Sequence, residues 1–326
     1  MQFSQSVNDF FTKQTVLVTG GAGFIGSHLT KHLASIGCSV KVIDDLSSGD
    51  ANRLNGLDIE FIEGSILDEK AIVSAVSGSS CVFHLAAFVS VPESVARPDE
   101  CNRTNIDGTS SLLAHALDAG CKRIVFASSA ACYGVHPNVP SRESDELQPA
   151  SPYATSKVKC EILLKELPKH IDGVSLRFFN VFGEGQNANS EYAAVVSAFL
   201  EAKKNGSLPT IFGDGSQSRD FIHVSNVVHA CMLAGSEQTQ LQGKSFNVGT
   251  GQAMSILELA KVVFGDDVAP SYQPMRLGDV LHSCASIDAI QKELGFQCLN
   301  DSRDALRAMV NPTKQSCCSH QSTQCK

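Results

Sequence analysis

The sequence contains neither a long apolar run nor a long basic run. No uninterrupted apolar segment approaches the roughly 18 residues that indicate a membrane span, and no basic region leads into an apolar one near the first residue. The net charge of −8 comes without a basic or basic-aromatic stripe, which excludes the usual electrostatic footprint of a nucleic-acid-binding protein. We therefore expect a soluble, cytoplasmic protein that binds neither membranes nor nucleic acid.

Regular cysteine spacing is also absent. The 12 cysteines fall at irregular intervals along 326 residues, which excludes the disulfide framework of a small secreted domain. The polar tail at 313–326 contains Cys317, Cys318, His320 and Cys325. It lacks the second spaced pair of ligands that a structural zinc site requires. We predict no metal site and a disordered tail.

Short apolar runs typical of buried parallel strands recur along the first part of the chain. They lie at 15–20, 39–45, 59–65, 81–87, 123–129 and 174–180. Segments with helical spacing lie between them, and this alternation predicts an α/β protein with a Rossmann-type doubly wound parallel sheet. After residue 180 the connections become rich in Gly, Asn and Ser, which predicts a smaller C-terminal α/β substrate lobe.

The first apolar run leads directly into the glycine-rich stretch TGGAGFIGSHL. Gly20, Gly23 and Gly26 fit the dinucleotide fingerprint between a strand and a helix, where glycines let the backbone approach a pyrophosphate. The second run ends in Asp44, near the offset of about 20 residues at which a carboxylate binds the ribose hydroxyls. Because Asp44 and Asp45 would repel a 2′-phosphate, we predict NAD rather than NADP as the cofactor.

The break in the alternation of strands and helices after residue 180 sets the domain boundaries. We expect residues 1–180 to form the NAD-binding Rossmann domain, to which 221–250 returns, and residues 181–312 to form the substrate lobe. Besides the glycines and Asp44, the expected cofactor contacts are Phe24, Ile25, Ser65, Ile66, Leu85, Ala86, Ala87, Asn105, Tyr153 and Lys157.

The stretch SPYATSK carries a candidate proton acceptor. Tyr153 and Lys157 are four residues apart and share one face of a helix. A phenol has an ordinary pKa near 10, and a neighbouring ammonium favours its phenolate form. A Y-x-x-x-K pair also arises by chance in helices, but its place between the fifth and sixth strands of a dinucleotide fold favours a catalytic role.

Over residues 13–310 the chain resembles the extended short-chain dehydrogenase/reductases of the nucleotide-sugar epimerase/dehydratase group. The likeness is carried by TGGAGFIGSHL, HLAA, NIDGT, ASSAACYG, SPYATSK, RFFNVFG, GDGSQSRDF and RLGDV. The resemblance implies a tightly held NAD that takes a hydride from a sugar carbon and, in many members, returns it. It also implies a homodimer.

The resemblance assigns the catalytic hydroxyl to Ser129, four residues before Tyr133 in the Y-G pair. The 4,6-dehydratases of this group have an Asp-Glu pair at the next two positions, and the related decarboxylases have a Glu at the second. Ala130 and Ala131 stand there in this chain, so water elimination has no proton donor or acceptor. Oxidation and re-reduction at C4 needs only Ser129, the Tyr/Lys pair and NAD, and we therefore predict a 4-epimerase.

The resemblance also assigns contacts with the nucleotide sugar, to Ser90, Asn180, Arg219, Arg276 and Asp279. The two guanidinium groups suit phosphate oxygens and would let an acidic protein hold a diphosphate. One alternative stays open for each arginine. For Arg219 it is an ion pair with Asp214 or Asp220, and for Arg276 it is a surface charge without a ligand.

Ser283 bears on the choice of sugar. In the 4-epimerases of this group that are restricted to non-acetylated sugars, a bulky Tyr closes the pocket over C2 at the position that corresponds to Ser283. The resemblance implies that a small serine there leaves space for an N-acetyl group. We predict reversible C4 epimerisation of UDP-N-acetylglucosamine and UDP-N-acetylgalactosamine, and also of UDP-glucose and UDP-galactose, through a transient 4-keto sugar. The alternatives are an epimerase of a UDP-uronic acid, dTDP- or GDP-sugar, and a non-catalytic NAD-binding sensor.

Overall fold

The computed structural model describes residues 4–187, 195–275 and 278–311. The strands are β1 Thr15–Thr19, β2 Ser39–Asp44, β3 Glu60–Glu63, β4 Cys81–His84, β5 Arg123–Ser129, β6 Asp172–Phe178, β7 Asn180–Phe182, β8 Thr210–Phe212, β9 Ser218–Arg219, β10 Phe221–His223, β11 Lys244–Val248, β12 Met254–Ser255 and β13 Ser271–Gln273. The helices are α1 Gln5–Phe11, α2 Phe24–Ser35, α3 Glu69–Val76, α4 Val91–Ala96, α5 Pro98–Asn102, α6 Gly108–Asp118, α7 Pro152–Lys165, α8 Val195–Lys204, α9 Val224–Ser236, α10 Ile256–Phe264, α11 Asp288–Leu294 and α12 Ser302–Val310.

In the described part of the chain, seven parallel strands form the main sheet in the order β11-β6-β5-β4-β1-β2-β3. Every residue of β4 and β6 is buried, because helices cover both faces of the sheet. Helices α1, α2 and α9 contribute to the core on one face, and α3, α6 and α7 to the core on the other. The predicted Rossmann-type doubly wound sheet is confirmed.

The smaller lobe contains three two-stranded sheets among the described residues, which pair β7 with β10, β8 with β13 and β9 with β12. Their apolar residues and those of α8, α10 and α12 enclose a separate core around Phe182, Phe199, Ile211, Leu259 and Leu306. Between β10 and β12 the chain returns to the main sheet, where β11 pairs with β6 and α9 packs beside α2.

The order of the parallel strands brings several loops to one edge of the sheet. The glycine-rich turn follows β1, Asp44 ends β2, and Ser129 ends β5. Because ligands of open α/β sheets bind outside the carboxyl ends of the strands, this edge is the expected position of the site.

The sequence predicted no membrane-spanning segment and no metal site in the tail. None of the helices in the described ranges has the length and apolar character needed to cross a bilayer. The tail at 313–326, with its candidate zinc ligands, lies outside the described residues.

We expect Phe11→Ala to lower the free energy of unfolding by about 3–5 kcal/mol, because the Phe11 ring is fully buried and contacts Phe83 of β4. The neighbouring Phe10→Ala is a matched control, since Phe10 packs against the same core but is only partly buried. Urea denaturation measures both losses, and equal losses would show that α1 is not anchored through Phe11.

Candidate active site

The turn between β1 and α2 requires glycine at two positions. Gly20 has a φ of +69°, and a Cβ there would lie 2.8 Å from the backbone nitrogen of Ala86. A Cβ on Gly26 would collide with the carbonyl oxygen of Gly20. Helix α2 begins at Phe24 after Gly23, whose position provides no side-chain cap for the first N–H groups. This helix start therefore fits a pyrophosphate, as the predicted NAD site requires.

Asp44 braces the glycine-rich turn. Its Oδ2 accepts a hydrogen bond from the backbone N–H of Ala22 at 2.9 Å, and its Oδ1 accepts one from Leu46 at 2.9 Å. Burial raises the pKa of the Asp44 carboxyl, against the lowering effect of these backbone hydrogen bonds. The sequence predicted a ribose contact for Asp44; the structure adds that the same carboxylate holds the loop in place.

A buried chain of three side chains holds Leu85 and Ala86 next to Gly20. The Thr19 hydroxyl accepts hydrogen bonds from the backbone N–H groups of Leu85 and Ala86, so its proton is left for Nδ1 of His84 at 2.8 Å. Nε2 of His84 then donates to the Thr109 hydroxyl at 2.8 Å. Burial lowers the pKa of His84 to about 3, so the imidazole is a neutral support that holds this segment by hydrogen bonds. This role was not predicted from the sequence, although His84 begins the HLAA motif.

Asn105 joins the loop after β4 to helix α7. Its Oδ1 accepts from the Phe88 N–H at 2.7 Å, and its Nδ2 donates to the Ser156 hydroxyl at 2.8 Å. The residue lies in a π-helical turn at Arg103–Asp107. The structure therefore places this predicted cofactor residue beside the helix that carries Lys157.

Ser129, Tyr153 and Lys157 meet where β5 ends against α7. Nζ of Lys157 donates to the carbonyl oxygen of Ala127 at 2.8 Å and lies 5.7 Å from the centre of the Tyr153 ring. Burial raises the pKa of Tyr153 to about 12, although its hydrogen bond with Ser129 acts in the opposite direction. Burial also lowers the pKa of Lys157. The arrangement places a hydroxyl pair and a buried amine together, as proton transfer requires.

The structure brings three of the predicted nucleotide-sugar residues together. Nη2 of Arg219 forms an ion pair with Oδ1 of Asp279 at 2.6 Å. The backbone N–H of Ser283 donates to the carbonyl oxygen of Ser218, next to Arg219, at 3.0 Å. Arg219 is thus paired, but with Asp279 rather than with Asp214 or Asp220, and Arg276 lies outside the described residues.

The remaining predicted residues lie at the edges of this region. The Ser90 hydroxyl caps α4 by accepting from the Glu93 N–H. Asn180 is exposed and its N–H donates to the carbonyl oxygen of Asp220. Ser65 accepts from the Leu67 N–H, next to the buried Ile66. Phe24 and Ile25, both half-buried, form the first turn of α2.

A model of the NAD dependent epimerase/dehydratase family matches residues 16–249. The chain belongs to this family. It is an NAD-dependent enzyme, and the predicted family and cofactor are confirmed.

The enzyme is similar to UDP-sugar 4-epimerases over nearly its whole length. It is 38% identical to a UDP-glucose 4-epimerase of Mycolicibacterium smegmatis, over 86% of this chain and 92% of that protein. A UDP-N-acetylglucosamine 4-epimerase from Methanobrevibacter ruminantium, solved with UDP-N-acetylmuramic acid, matches with a TM-score of 0.85 and 38% identity, over 91% of this chain and 97% of that chain. A UDP-glucose 4-epimerase from Thermus thermophilus, solved with NAD, matches with a TM-score of 0.81 and 31% identity over the same shares. The chain is an enzyme of this 4-epimerase group.

We expect Asp44→Ala to weaken NAD binding about 10- to 100-fold, because a hydrogen bond to a charged group contributes about 1.5–3 kcal/mol. The control is Asp45→Ala, since Asp45 is exposed and accepts hydrogen bonds from Ser47 in its own turn. The measurement is the NAD retained after purification, followed by titration of the apoprotein. Equal retention in the two variants would remove Asp44 from the ribose site.

Proposed function

We propose that this enzyme reversibly epimerises C4 of UDP-N-acetylglucosamine and UDP-N-acetylgalactosamine, and also of UDP-glucose and UDP-galactose. The observation that carries the proposal is the meeting of the Ser129 hydroxyl at the end of β5 with the Tyr153 phenol and the Lys157 amine of α7. Ala130 and Ala131 follow Ser129 directly, where a dehydratase has its acids. Proton transfer is thereby restricted to the hydroxyl pair, which supports a reaction at a single carbinol carbon.

Tyr153 removes the proton from O4 of the sugar and later returns one, while Ser129 holds O4 by a second hydrogen bond. NAD, when bound, supplies the hydride acceptor and then the hydride donor. Because burial raises the pKa of Tyr153 to about 12, the phenol needs a cation beside it, and the Lys157 ammonium favours its phenolate. Inversion requires the 4-keto sugar to turn and present its other face.

The diphosphate anchors that rotation, since it is the part of the substrate that does not turn. Arg219 and Arg276 hold the diphosphate, Asn180 contributes nearby, and Asp279 binds the ribose. The ion pair between Arg219 and Asp279 supports this assignment, because it fixes the direction in which the guanidinium presents its remaining N–H groups.

The two lobes divide these tasks. We assign NAD binding to residues 1–180 together with 221–250, and nucleotide-sugar binding to 181–312. The return of β11 and α9 to the main sheet supports the first assignment.

A homodimer is part of the same proposal. The adjacent helices α4 and α7 expose the apolar side chains of Val91, Val95 and Ile162, which a second copy of the chain would cover. Light scattering at micromolar concentration decides the oligomeric state.

The choice of substrate is tested with a panel of UDP-, dTDP- and GDP-sugars, including a UDP-uronic acid, with product stereochemistry determined by NMR. Interconversion of both UDP-N-acetylhexosamines is the expected result. Activity on another nucleotide sugar alone would favour that epimerase instead, and NAD binding without any turnover would favour a sensor.

We expect Tyr153→Phe to lower kcat by about 10²–10⁴-fold while NAD and UDP still bind, because only the proton acceptor is lost. Tyr272→Phe is the control, since Tyr272 is exposed on β13. Steady-state kinetics and cofactor content are measured for both. Wild-type turnover in Tyr153→Phe would make Tyr153 a structural residue.

We expect Ser283→Tyr to lower kcat/KM for UDP-N-acetylglucosamine about ten- to a hundredfold and to spare UDP-galactose. The added ring would occupy the space proposed for the acetamide, and a clash of about 1–3 kcal/mol corresponds to that loss. Ser283→Ala adds no volume and should leave both substrates unchanged.

Because Ser283 is nearly buried, melting temperatures are compared for the three proteins. Equal losses on both sugars in Ser283→Tyr would show that Ser283 does not determine the choice at C2.

A further inference from the structure

A buried ion pair lies one helical turn beyond Lys157. Glu161 of α7 and Arg177 of β6 are 1% and 2% exposed, and they pair through two parallel hydrogen bonds. Nε of Arg177 donates to Oε1 at 2.9 Å and Nη2 donates to Oε2 at 2.7 Å. Neither residue is used in the proposed reaction.

Two serine hydroxyls complete the coordination of the Glu161 carboxylate. Ser128 of β5 donates to Oε1 at 2.6 Å, and Ser245 of β11 donates to Oε2 at 3.0 Å. Burial acts to raise the pKa of Glu161, but Arg177 and the two hydroxyls outweigh it and hold the pKa below its ordinary value. The side chain is therefore a carboxylate, and each of its oxygens accepts two hydrogen bonds.

The ion pair holds the residues on both sides of Ser129. On one side, Glu161 accepts from Ser128, the neighbour of Ser129 in β5. On the other side, Nη1 of Arg177 donates to the hydroxyl of Tyr133 at 2.9 Å, and Tyr133 ends the short turn that Ser129 begins. The Tyr133 hydroxyl in turn donates to Asn247 at 2.6 Å. Ser129 thus lies on a short segment whose two ends are fixed by one buried pair.

The same stretch of β5 meets α7 at three successive residues. Lys157 donates to the carbonyl oxygen of Ala127, Glu161 accepts from Ser128, and the Tyr153 phenol lies beside the Ser129 hydroxyl. Three side chains spaced one turn apart on α7 therefore contact three consecutive residues of β5. The contact at Ser128, at 2.6 Å, is shorter than the one between Lys157 and Ala127, at 2.8 Å, and it involves a full negative charge.

We propose that Glu161 is a positioning residue, which sets the position of Ser129 relative to Tyr153 by holding the hydroxyl of Ser128. The proposal rests on the catalytic roles proposed above for Ser129 and Tyr153. Stability alone is a weak reason for the pair, because apolar residues of similar volume often replace a buried ion pair without loss of stability. A shift of about 1 Å at a reacting group can lower turnover by about 10²-fold.

The test compares single serine variants around one carboxylate. Ser128→Ala and Ser245→Ala each remove one hydroxyl donor from Glu161 and leave the ion pair intact. Ser175→Ala controls for the loss of a buried hydroxyl, since Ser175 is fully buried in β6 and its Oγ has no hydrogen-bond partner. Kinetics, melting temperature and bound NAD are measured for each protein.

The expected result is a fall in kcat of about ten- to a hundredfold in Ser128→Ala, with KM and bound NAD unchanged. Ser245→Ala and Ser175→Ala should stay within about twofold of wild-type kcat, because the Ser245 hydroxyl reaches Glu161 from β11 and the Ser175 hydroxyl has no hydrogen-bond partner. Equal losses of kcat in Ser128→Ala and Ser245→Ala, or no loss in Ser128→Ala, would overturn the proposal.

A second pair of variants holds shape constant. Ser128→Thr retains the hydroxyl, whereas Ser128→Val has the same shape without it. Any loss of turnover caused by the added volume is therefore the same in both variants. Turnover should be higher in Ser128→Thr than in Ser128→Val by the factor lost in Ser128→Ala. Equal turnover in the two would count against the hydroxyl contact, even if Ser128→Ala does not fold.

Crystal structures of wild type, Ser128→Ala and Ser245→Ala separate this proposal from the proposed function. A displacement of Ser129 from Tyr153 in Ser128→Ala alone supports positioning, whatever the wild-type protein does with UDP-sugars. An unmoved Ser129 overturns it. Lack of turnover by the wild type would overturn the proposed function only.

Discussion

The packing of α7 against the end of β5 is the constraint on which the candidate site depends. Tyr153, Lys157 and Glu161 are spaced one turn apart on the helix and contact three consecutive residues of the strand. A helix and a strand have different repeats, so such a match holds only over a short stretch. Side chains from β6 and β11 complete the contact at Glu161.

The cofactor side of the site depends on close backbone approach. Gly20 leaves no space for a Cβ beside Ala86, and Gly26 leaves none beside Gly20. Thr19, His84 and Asp44 then hold the surrounding segments with buried hydrogen bonds. These contacts fix the conformation of the turn within the protein itself, and a binding loop held in this way reduces the entropy that binding must overcome.

Charge in an acidic chain is arranged locally at this site. Arg219 is partly covered and already paired with Asp279. The ion pair orients the guanidinium without occupying all of its N–H groups. Glu161 and Arg177 are buried and saturated with partners, and they add no net charge near Lys157. Charge around these residues is thus set by individual ion pairs rather than by the net charge of −8.

Local patterns were sufficient for the parts of the protein that depend on neighbours in sequence. The apolar runs, the spacing of Gly20, Gly23 and Gly26, and the pair Tyr153 and Lys157 are all legible within a few residues. Each reflects the repeat of a strand or helix, or the backbone freedom of glycine, which the sequence by itself determines. The α/β class and the cofactor followed from them, whereas the family came from the resemblance that the longer motifs carry.

The tertiary structure alone decided which distant side chains meet. Arg219 pairs with Asp279, 60 residues away, rather than with the nearer Asp214 or Asp220, and Glu161 meets donors from three different strands. Thr19 and His84 became supports only once β1 and β4 lay side by side. Such partners are chosen by the folding of the whole chain, because a buried polar group must be satisfied by whatever donor or acceptor packing brings within reach.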